Sequence, residues 1–187
     1  MRQRNAQGFT LPEIIITLGI VAIILSTAVP SISTTIKNSR LSTHLNSVVA
    51  DIHYSRSEAA KRDVRVIMCR SLYPNANVPS CSGNTQVWTT GYIIFADDGT
   101  NTNNWYNAGS DTLLRRGQAA AAGINMRTNE TWNNNLEFNP DGSTNEGGTA
   151  YMSLCDGRGP EYGKQIMVAR NGIPKMYSKN IPDCSPS

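Results

Sequence analysis

Residues 8–29 read Gly-Phe-Thr-Leu-Pro-Glu-Ile-Ile-Ile-Thr-Leu-Gly-Ile-Val-Ala-Ile-Ile-Leu-Ser-Thr-Ala-Val, an apolar run with one carboxylate, Glu13, near its start. Between Glu13 and Lys37 lie 23 residues without a formal charge. As a helix they would span ~35 Å, which exceeds the ~30 Å apolar core of a bilayer. The run therefore predicts a membrane-spanning helix, which we assign to residues 9–30.

The segment before this run is polar and basic, because it contains Arg2 and Arg4. An ordinary secretory signal is cut at small residues that follow its apolar stretch. No such site follows Val29, and the small-residue junction beside the basic segment is Gly8–Phe9. We therefore expect residues 1–8 to be a cleaved leader. The basic leader should stay cytoplasmic, which sends the C-terminal part of the chain outward.

Glu13 is the most informative residue of the run. A charged side chain at the centre of a membrane helix costs about 3 kcal/mol on insertion scales, and such residues are usually functional. One interpretation places Glu13 in the headgroup layer as an ordinary surface residue. In the other, cleavage after Gly8 frees the amino group of Phe9, which neutralises Glu13 in the same chain or in a neighbouring chain.

The order Gly8-Phe9-Thr10-Leu11-Pro12-Glu13, followed by an apolar run, resembles the type IV prepilin signature. The resemblance implies that a membrane-bound prepilin peptidase cuts after the glycine and methylates the new N-terminal phenylalanine. It also implies that the glutamate pairs with the N-terminus of an adjacent pilin during filament assembly. The proline departs from the family pattern, because many members have an apolar residue there.

Residues 31–62 predict a second, amphipathic half of the same helix. Proline removes a helical hydrogen bond, so we expect a kink at Pro30. Beyond it, apolar residues recur every three to five positions and form one stripe. His44 and His53 face opposite ways, cannot share a metal ion and are expected to be solvated. The stripe contains Ile32, Ile36, Leu41, Leu45, Val48, Val49 and Ile52.

Residues 63–187 contain short β-prone runs separated by turn residues, and they predict a head domain. The dipeptides Asp98-Gly99, Asp141-Gly142 and Asn171-Gly172 indicate tight turns. One long helix followed by antiparallel strands is an α+β fold. The predicted strands are 64–69, 87–95, 112–115, 124–127, 136–138, 150–154, 164–169 and 173–177.

Several pieces of the head domain resemble the GspH/FimT/FimU family of minor pilins and pseudopilins. These pieces are Gly91-Tyr-Ile-Ile-Phe-Ala-Asp-Asp-Gly99, Asp111-Thr-Leu-Leu-Arg115, Phe138-Asn-Pro-Asp-Gly142, Leu154-Cys-Asp-Gly-Arg-Gly159 and the hairpin 164–177. The resemblance implies a pilin fold, in which the long helix packs on an antiparallel sheet. It implies a structural subunit that helps to initiate or assemble a type IV pilus with other major and minor pilins. Such a subunit first spans the bacterial inner membrane once, with its head in the periplasm, and then enters the extracellular pilus.

Four cysteines, Cys69, Cys81, Cys155 and Cys184, lie outside the apolar run. An even count suits two disulfides in an oxidising compartment, and three pairings are possible. We favour Cys69–Cys81 and Cys155–Cys184, because each pair closes a loop within one half of the chain. Free buried thiols are the alternative. The spacing does not fit a zinc site.

No catalytic constellation is recognisable, so we expect a protein that is not an enzyme and that uses no cofactor. The sequence has no Gly-x-Ser-x-Gly motif, no phosphate loop and, after residue 62, no histidine to act as a general base. The acidic residues Asp97, Asp98 and Asp111 lack the alternating ligands and terminal glutamate of a helix–loop–helix calcium site. We therefore interpret their segment as a turn and predict no metal.

Two alternatives share most of these motifs. A DNA-binding minor pilin would use a phosphate patch formed by Arg158, Lys164, Arg170, Lys175 and Lys179. The net charge is only +3, and residues 172–175 read Gly-Ile-Pro-Lys where the FimT-like branch has Gly-Arg-x-Arg. The chain therefore resembles the FimU-like branch more closely. The second alternative, a minor pseudopilin of a type II secretion system, is not separated from a pilus subunit by sequence.

Overall fold

The computed structural model of the chain describes residues 9–83, 85–99, 104–132, 134–145, 150–178, 181 and 184, without the side chains of residues 27–31. The predicted leader, residues 1–8, lies outside the described residues. The chain divides into two compact units, Met1–Ser39 and Arg40–Ser187. The functional boundaries at residues 8, 30 and 62 stay predictions.

A long helix, α1, covers the 52 residues Leu11–Arg62, as the continuous helical pattern predicts. Glu13 lies in its first turn and Arg62 in its last turn, where their charges interact favourably with the helix dipole. The Nε of Arg62 donates to Glu58 Oε2 at 2.7 Å, and this hydrogen bond lowers the pKa of the Glu58 carboxyl. Asp63 then adopts a left-handed conformation, with φ of 56°, that ends the helix.

Pro30 lies inside α1, and the helical backbone continues on both sides of it. The kink predicted at Pro30 stays a prediction. Among the described residues, no helix has both the length and the apolar character that crossing a membrane requires.

Eight strands in the described residues form two antiparallel sheets of four strands each. The strands are β1 (Val66–Arg70), β2 (Tyr92–Ala96), β3 (Thr112–Gly117), β4 (Asn125–Thr128), β5 (Asn135–Phe138), β6 (Ala150–Cys155), β7 (Lys164–Val168) and β8 (Pro174–Ser178). The first sheet has the order β3-β2-β1-β5 and the second has the order β4-β6-β7-β8. Each predicted strand corresponds to an observed one, and the α+β class is confirmed.

The segment before β2 differs from the prediction of one strand over residues 87–95. Trp88 N donates to Met126 O at 2.9 Å, so this segment runs along the free edge of β4 in the second sheet. Gly91 has a φ of 110°, and a Cβ there would lie 2.9 Å from Gly117 O. The glycine lets the chain turn sharply into β2. One apolar run of the sequence therefore contributes residues to both sheets.

The largest core cluster of the second unit joins the C-terminal part of α1 to both sheets. Leu41, Leu45, Val48 and Ile52 of α1 are buried in it, as the apolar stripe predicts. The rings of Trp88 and Trp132 meet edge to face, with centroids 5.7 Å apart. Strand residues complete the cluster; they include Met68, Ile94, Leu136, Phe138, Met152, Leu154, Ile166 and Val168.

The first two residues of the stripe behave differently from the rest. Ile32 and Ile36 belong to the first unit and are exposed, by 57% and 48%.

The prediction that His44 is solvated is wrong. His44 is half-buried, and burial lowers the pKa of its imidazole, whereas His53 is exposed.

Candidate filament-assembly site

Thr10 and Glu13 build the start of α1. The carbonyl oxygen of Thr10 accepts a hydrogen bond from Ile14 N at 3.3 Å. The Glu13 carboxylate turns back and accepts a hydrogen bond from Thr10 N at 3.5 Å. This is one half of a capping box, in which an acid at the third helical position satisfies an N–H group at the helix start. Glu13 is thus held at the positive end of the helix dipole.

The neighbouring residues Phe9 and Pro12 are compatible with this helix cap. Pro12 occupies the second helical position, where its missing N–H costs no helical hydrogen bond. Phe9 precedes the cap and is 80% exposed. Gly8 lies outside the described residues, so cleavage between Gly8 and Phe9 stays a prediction. So does the pairing of Glu13 with a free amino group.

The apolar part of α1 exposes its side chains, and two of its hydroxyl groups bond to the helix backbone. Thr17 Oγ1 donates to Ile14 O at 2.9 Å, and Ser26 Oγ donates to Ile23 O at 2.7 Å. A hydroxyl that is bonded to its own helix does not need water as a partner, so this surface suits an apolar environment. Its exposed large side chains are Leu11, Ile14, Ile15, Ile16, Leu18, Ile20, Val21, Ile23, Ile24 and Leu25.

Asp51 connects α1 to the first sheet within the second unit. Its Oδ2 accepts a hydrogen bond from the hydroxyl of Tyr92 at 2.6 Å, and its Oδ1 accepts one from Arg115 at 2.5 Å. The Arg115 guanidinium also lies 4.5 Å from the centroid of the Tyr54 ring. Burial, reinforced by the Asp51 charge, raises the pKa of the Tyr92 hydroxyl, so it stays a donor. Asp51 was not singled out from the sequence, although its position between Val48 and Ile52 of the apolar stripe signals burial.

Two disulfides fix the segments around the sheets. Cys69 in β1 bonds to Cys81, and Cys155 in β6 bonds to Cys184. These are the two pairs favoured from the sequence, and no described cysteine is free.

Arg70 braces the loop that the first disulfide closes, a role that sequence reasoning missed. Its Nε donates to Val87 O, and another guanidinium nitrogen donates to Ser82 O at 2.7 Å. The backbone of Ser82 in turn donates to Arg70 O at 2.9 Å. Burial lowers the pKa of the Arg70 guanidinium, which is consistent with a structural position.

Among the basic residues predicted as a phosphate patch, the described ones do not all share one surface. Arg158 pairs with Asp156 at 2.5 Å and lies 4.3 Å from the centroid of the Tyr162 ring, with 14% of its side chain exposed. Lys164 pairs with Ser178 across β7 and β8, and Lys175 pairs with Met167. Because alternate residues of a strand point to opposite faces, Lys164 and Lys175 lie on opposite faces of the sheet.

Only one of the remaining two predicted patch residues is described. Arg170 lies in the turn between β7 and β8, and Lys179 lies outside the described residues. Of the acidic residues weighed as calcium ligands, Asp97 pairs with Arg65, and Asp111 accepts a hydrogen bond from Asn107 N at 2.7 Å. The described residues contain no group of His, Cys, Asp and Glu side chains that could hold a metal ion.

Two protein-family models match this chain, one over most of its second unit and one over its N-terminal segment. The model of the type II transport protein GspH matches residues 44–172, which is more than half of the chain. The chain belongs to the GspH family. A second model, the prokaryotic N-terminal methylation motif, matches residues 3–29 of this GspH-family chain. That motif includes Phe9 and Glu13, and it is typical of membrane-anchored pilus components.

Solved structures show the same fold as this GspH-family chain. One is the type IV minor pilin FimU of Pseudomonas aeruginosa in space group P21, with 15% identity and a TM-score of 0.56 over 75% of this chain and 90% of that one. The same protein in space group P65 matches with 14% identity and a TM-score of 0.52, over 73% and 92%. At such low identity these matches establish the fold. No curated protein matches the sequence significantly.

Proposed function

We propose that this GspH-family chain is a minor pilin, a structural subunit that assembles into a type IV pilus. One observation carries the proposal: a prepilin-type methylation motif over residues 3–29 precedes a GspH-family head over residues 44–172. The pilin fold shared with FimU supports a pilus rather than an enzymatic role. The residues that act in assembly are Phe9 and Glu13.

Processing comes first in this proposal. A prepilin peptidase cuts after Gly8, removes the basic leader and methylates the amino group of Phe9. Before assembly, the apolar part of α1 anchors the chain in the inner membrane, and the head lies in the periplasm. The oxidising periplasm suits the two disulfides.

Assembly then gives Glu13 a new partner. In the single chain its carboxylate accepts a long hydrogen bond of 3.5 Å from Thr10 N. The methylated amino group of a neighbouring chain carries a full positive charge and is a stronger partner in an apolar surrounding. The exchange of one partner for the other draws adjacent subunits into register. The exposed apolar side chains of α1 then pack in the filament.

Substitution of Glu13 tests this proposal. Glu13→Gln keeps a side chain that can cap the helix but removes the charge, and Glu13→Ala removes both. Two unit charges 4 Å apart near a protein surface gain about 4 kcal/mol, so the amount of either variant in sheared filaments should fall by at least about tenfold. Filaments are quantified by mass spectrometry against the membrane fraction of the same cells.

Glu161→Gln is the matched control, because Glu161 is an exposed glutamate of the head. This variant should enter filaments as the unchanged chain does. If Glu13→Gln also enters filaments at the unchanged level, the charge of Glu13 has no role in assembly and the proposal fails.

A minor pseudopilin of a type II secretion system is the second candidate, and the description of the matching family favours it. Both candidates use the same leader, the same helix and the same head. Deletion of the gene distinguishes them. Loss of surface pili and twitching supports the pilus subunit, whereas loss of enzyme secretion with intact pili supports the pseudopilin.

A further inference from the structure

The second sheet carries an open polar cleft at the end of β4 that the assembly mechanism does not use. Its volume is about 470 Å³, within the range of small-molecule sites. It lies entirely within the second unit, away from Phe9 and Glu13 in sequence. The residues that line it include Gln86, Arg127, Asn129, Glu130, Thr131 and Tyr151.

The floor of this cleft is held by hydrogen bonds to the backbone. Asn129 Oδ1 accepts from Trp132 N at 3.1 Å and from Tyr151 N at 3.2 Å, while Asn129 N donates to Tyr151 O at 3.1 Å. On the opposite side, Thr128 N donates to Gln86 O at 2.8 Å. Trp132 is fully buried beneath the turn. The walls are therefore fixed before any ligand arrives, which lowers the entropic cost of binding.

The cleft presents charges of both signs that have no partner in the described part of the chain. Arg127 and Glu130 are exposed, and neither takes part in a described ion pair or side-chain hydrogen bond. The exposed side chains of Gln86 and Thr131 add an amide and a hydroxyl. A simple anion would be repelled by Glu130, and a simple cation by Arg127. A neutral ligand with many groups that both donate and accept would satisfy both residues.

We propose that this cleft binds a saccharide. A sugar hydroxyl donates one hydrogen bond and accepts others, so neighbouring hydroxyls can donate to Glu130 and accept from Arg127. Among the described residues of the lining, Tyr151 is the one aromatic, and its half-buried ring offers an apolar surface to the C–H face of a sugar ring. The described part of the lining contains no aliphatic side chain, which disfavours lipids and apolar peptide side chains.

Saturation-transfer NMR on the full chain tests the proposal. The protein is held in a zwitterionic detergent without a sugar headgroup, and the probes are a neutral chitin tetrasaccharide, the acidic sialyllactose and the zwitterionic peptide triglycine. We expect transfer to the neutral tetrasaccharide, weaker transfer to sialyllactose, whose carboxylate Glu130 repels, and none to triglycine. Arg127→Gln and Glu130→Gln should each weaken saccharide binding by about tenfold, since charge-assisted hydrogen bonds are about twice as strong as neutral ones.

Lys175→Gln and Glu161→Gln are the matched controls, because both residues are exposed in the same unit but do not line the cleft. They should leave saccharide binding unchanged. The proposal is overturned if the chitin tetrasaccharide does not bind, if triglycine binds in its place, or if the control variants weaken binding as much as the cleft variants do. Filament incorporation of the cleft variants should remain normal, so this proposal and the filament role fail independently.

Discussion

At the scale of single residues, the Asp51–Tyr92 hydrogen bond gives the most direct prediction of stability. Tyr92→Phe removes the donor at 2.6 Å and leaves Asp51 with Arg115 as its described partner. An under-satisfied buried carboxylate costs about 1–3 kcal/mol. We therefore expect the melting temperature of the full chain in detergent to fall by roughly 2–10 °C. Tyr73→Phe is the control, because Tyr73 is 74% exposed, and an equal effect of both variants would contradict the role of Asp51.

His44 gives the second residue-scale prediction, on pH. Burial holds the pKa of the folded-state imidazole below its ordinary value of 6.5. Protonation therefore favours the unfolded chain, and stability is lost as the pH falls below about 6.5. Thermal unfolding at about pH 7.5 and about pH 5.5 should show a loss on acidification that His44→Gln reduces.

The exposed His53 supplies the comparison for this pH experiment. His53→Gln should keep the full loss of stability between the two pH values. Glu58, whose pKa is lowered by its hydrogen bond with Arg62, titrates at more acidic pH and does not confuse the result. A loss of stability that is unchanged in His44→Gln would assign the effect to another group.

At the scale of elements, the turns between strands constrain one another. Gly172 has a φ of 70°, and a Cβ there would lie 2.2 Å from Gly142 O, in the turn after β5. Gly157 has a similar φ of 78°, but a Cβ there would meet no atom within 4 Å. Gly157→Ala should lower the free energy of unfolding by about 1–2 kcal/mol, because alanine disfavours the left-handed backbone. Gly172→Ala should lower it by about 1–3 kcal/mol more, because the backbones of the two turns must also separate. Chemical unfolding of both variants measures the difference, and equal costs would show that the turns do not press together.

The elements also show what sequence patterns can and cannot predict. Apolar runs and turn residues located all eight strands and both ends of α1, since these signals are local. They did not predict that residues 86–88 join the second sheet, because that pairing depends on Met126 and Thr128 far along the chain. The same limit applies to the Asp51 contacts, whose partners lie 41 and 64 residues away.

Some candidate sites could be predicted from the sequence and others could not, for the same reason. Glu13 and Phe9 could be singled out because the roles proposed for them depend on a short, contiguous motif. The sequence could not show whether the predicted phosphate patch shares one surface. The face of the sheet on which Lys164 and Lys175 lie depends on the register of β7 and β8. The cleft beside Arg127 was not predicted, because its walls come from three separate segments.

At the scale of the whole molecule, the proposed maturation of the N-terminus would determine whether the chain can act as a pilin. Until the leader is removed, Phe9 N is a peptide nitrogen without a charge, and Glu13 has only the cap hydrogen bond of Thr10 N. In the proposed mechanism, cleavage creates the cation that assembly requires. Co-expression with a prepilin peptidase should therefore yield a protein that begins at N-methylated Phe9, as intact-mass and N-terminal peptide measurements would show.

Gly8→Val sharpens this last experiment, because it replaces the small residue at the junction with a branched one. The variant should keep residues 1–8, accumulate in the membrane and be absent from filaments. Its head should still fold, since both disulfides and the Asp51 contacts lie in the second unit. Protease resistance of the variant head, measured beside that of the unchanged chain, separates a failure of processing from a failure of folding. A Gly8→Val chain that entered filaments with its leader attached would show that the free amino group of Phe9 is not needed for assembly.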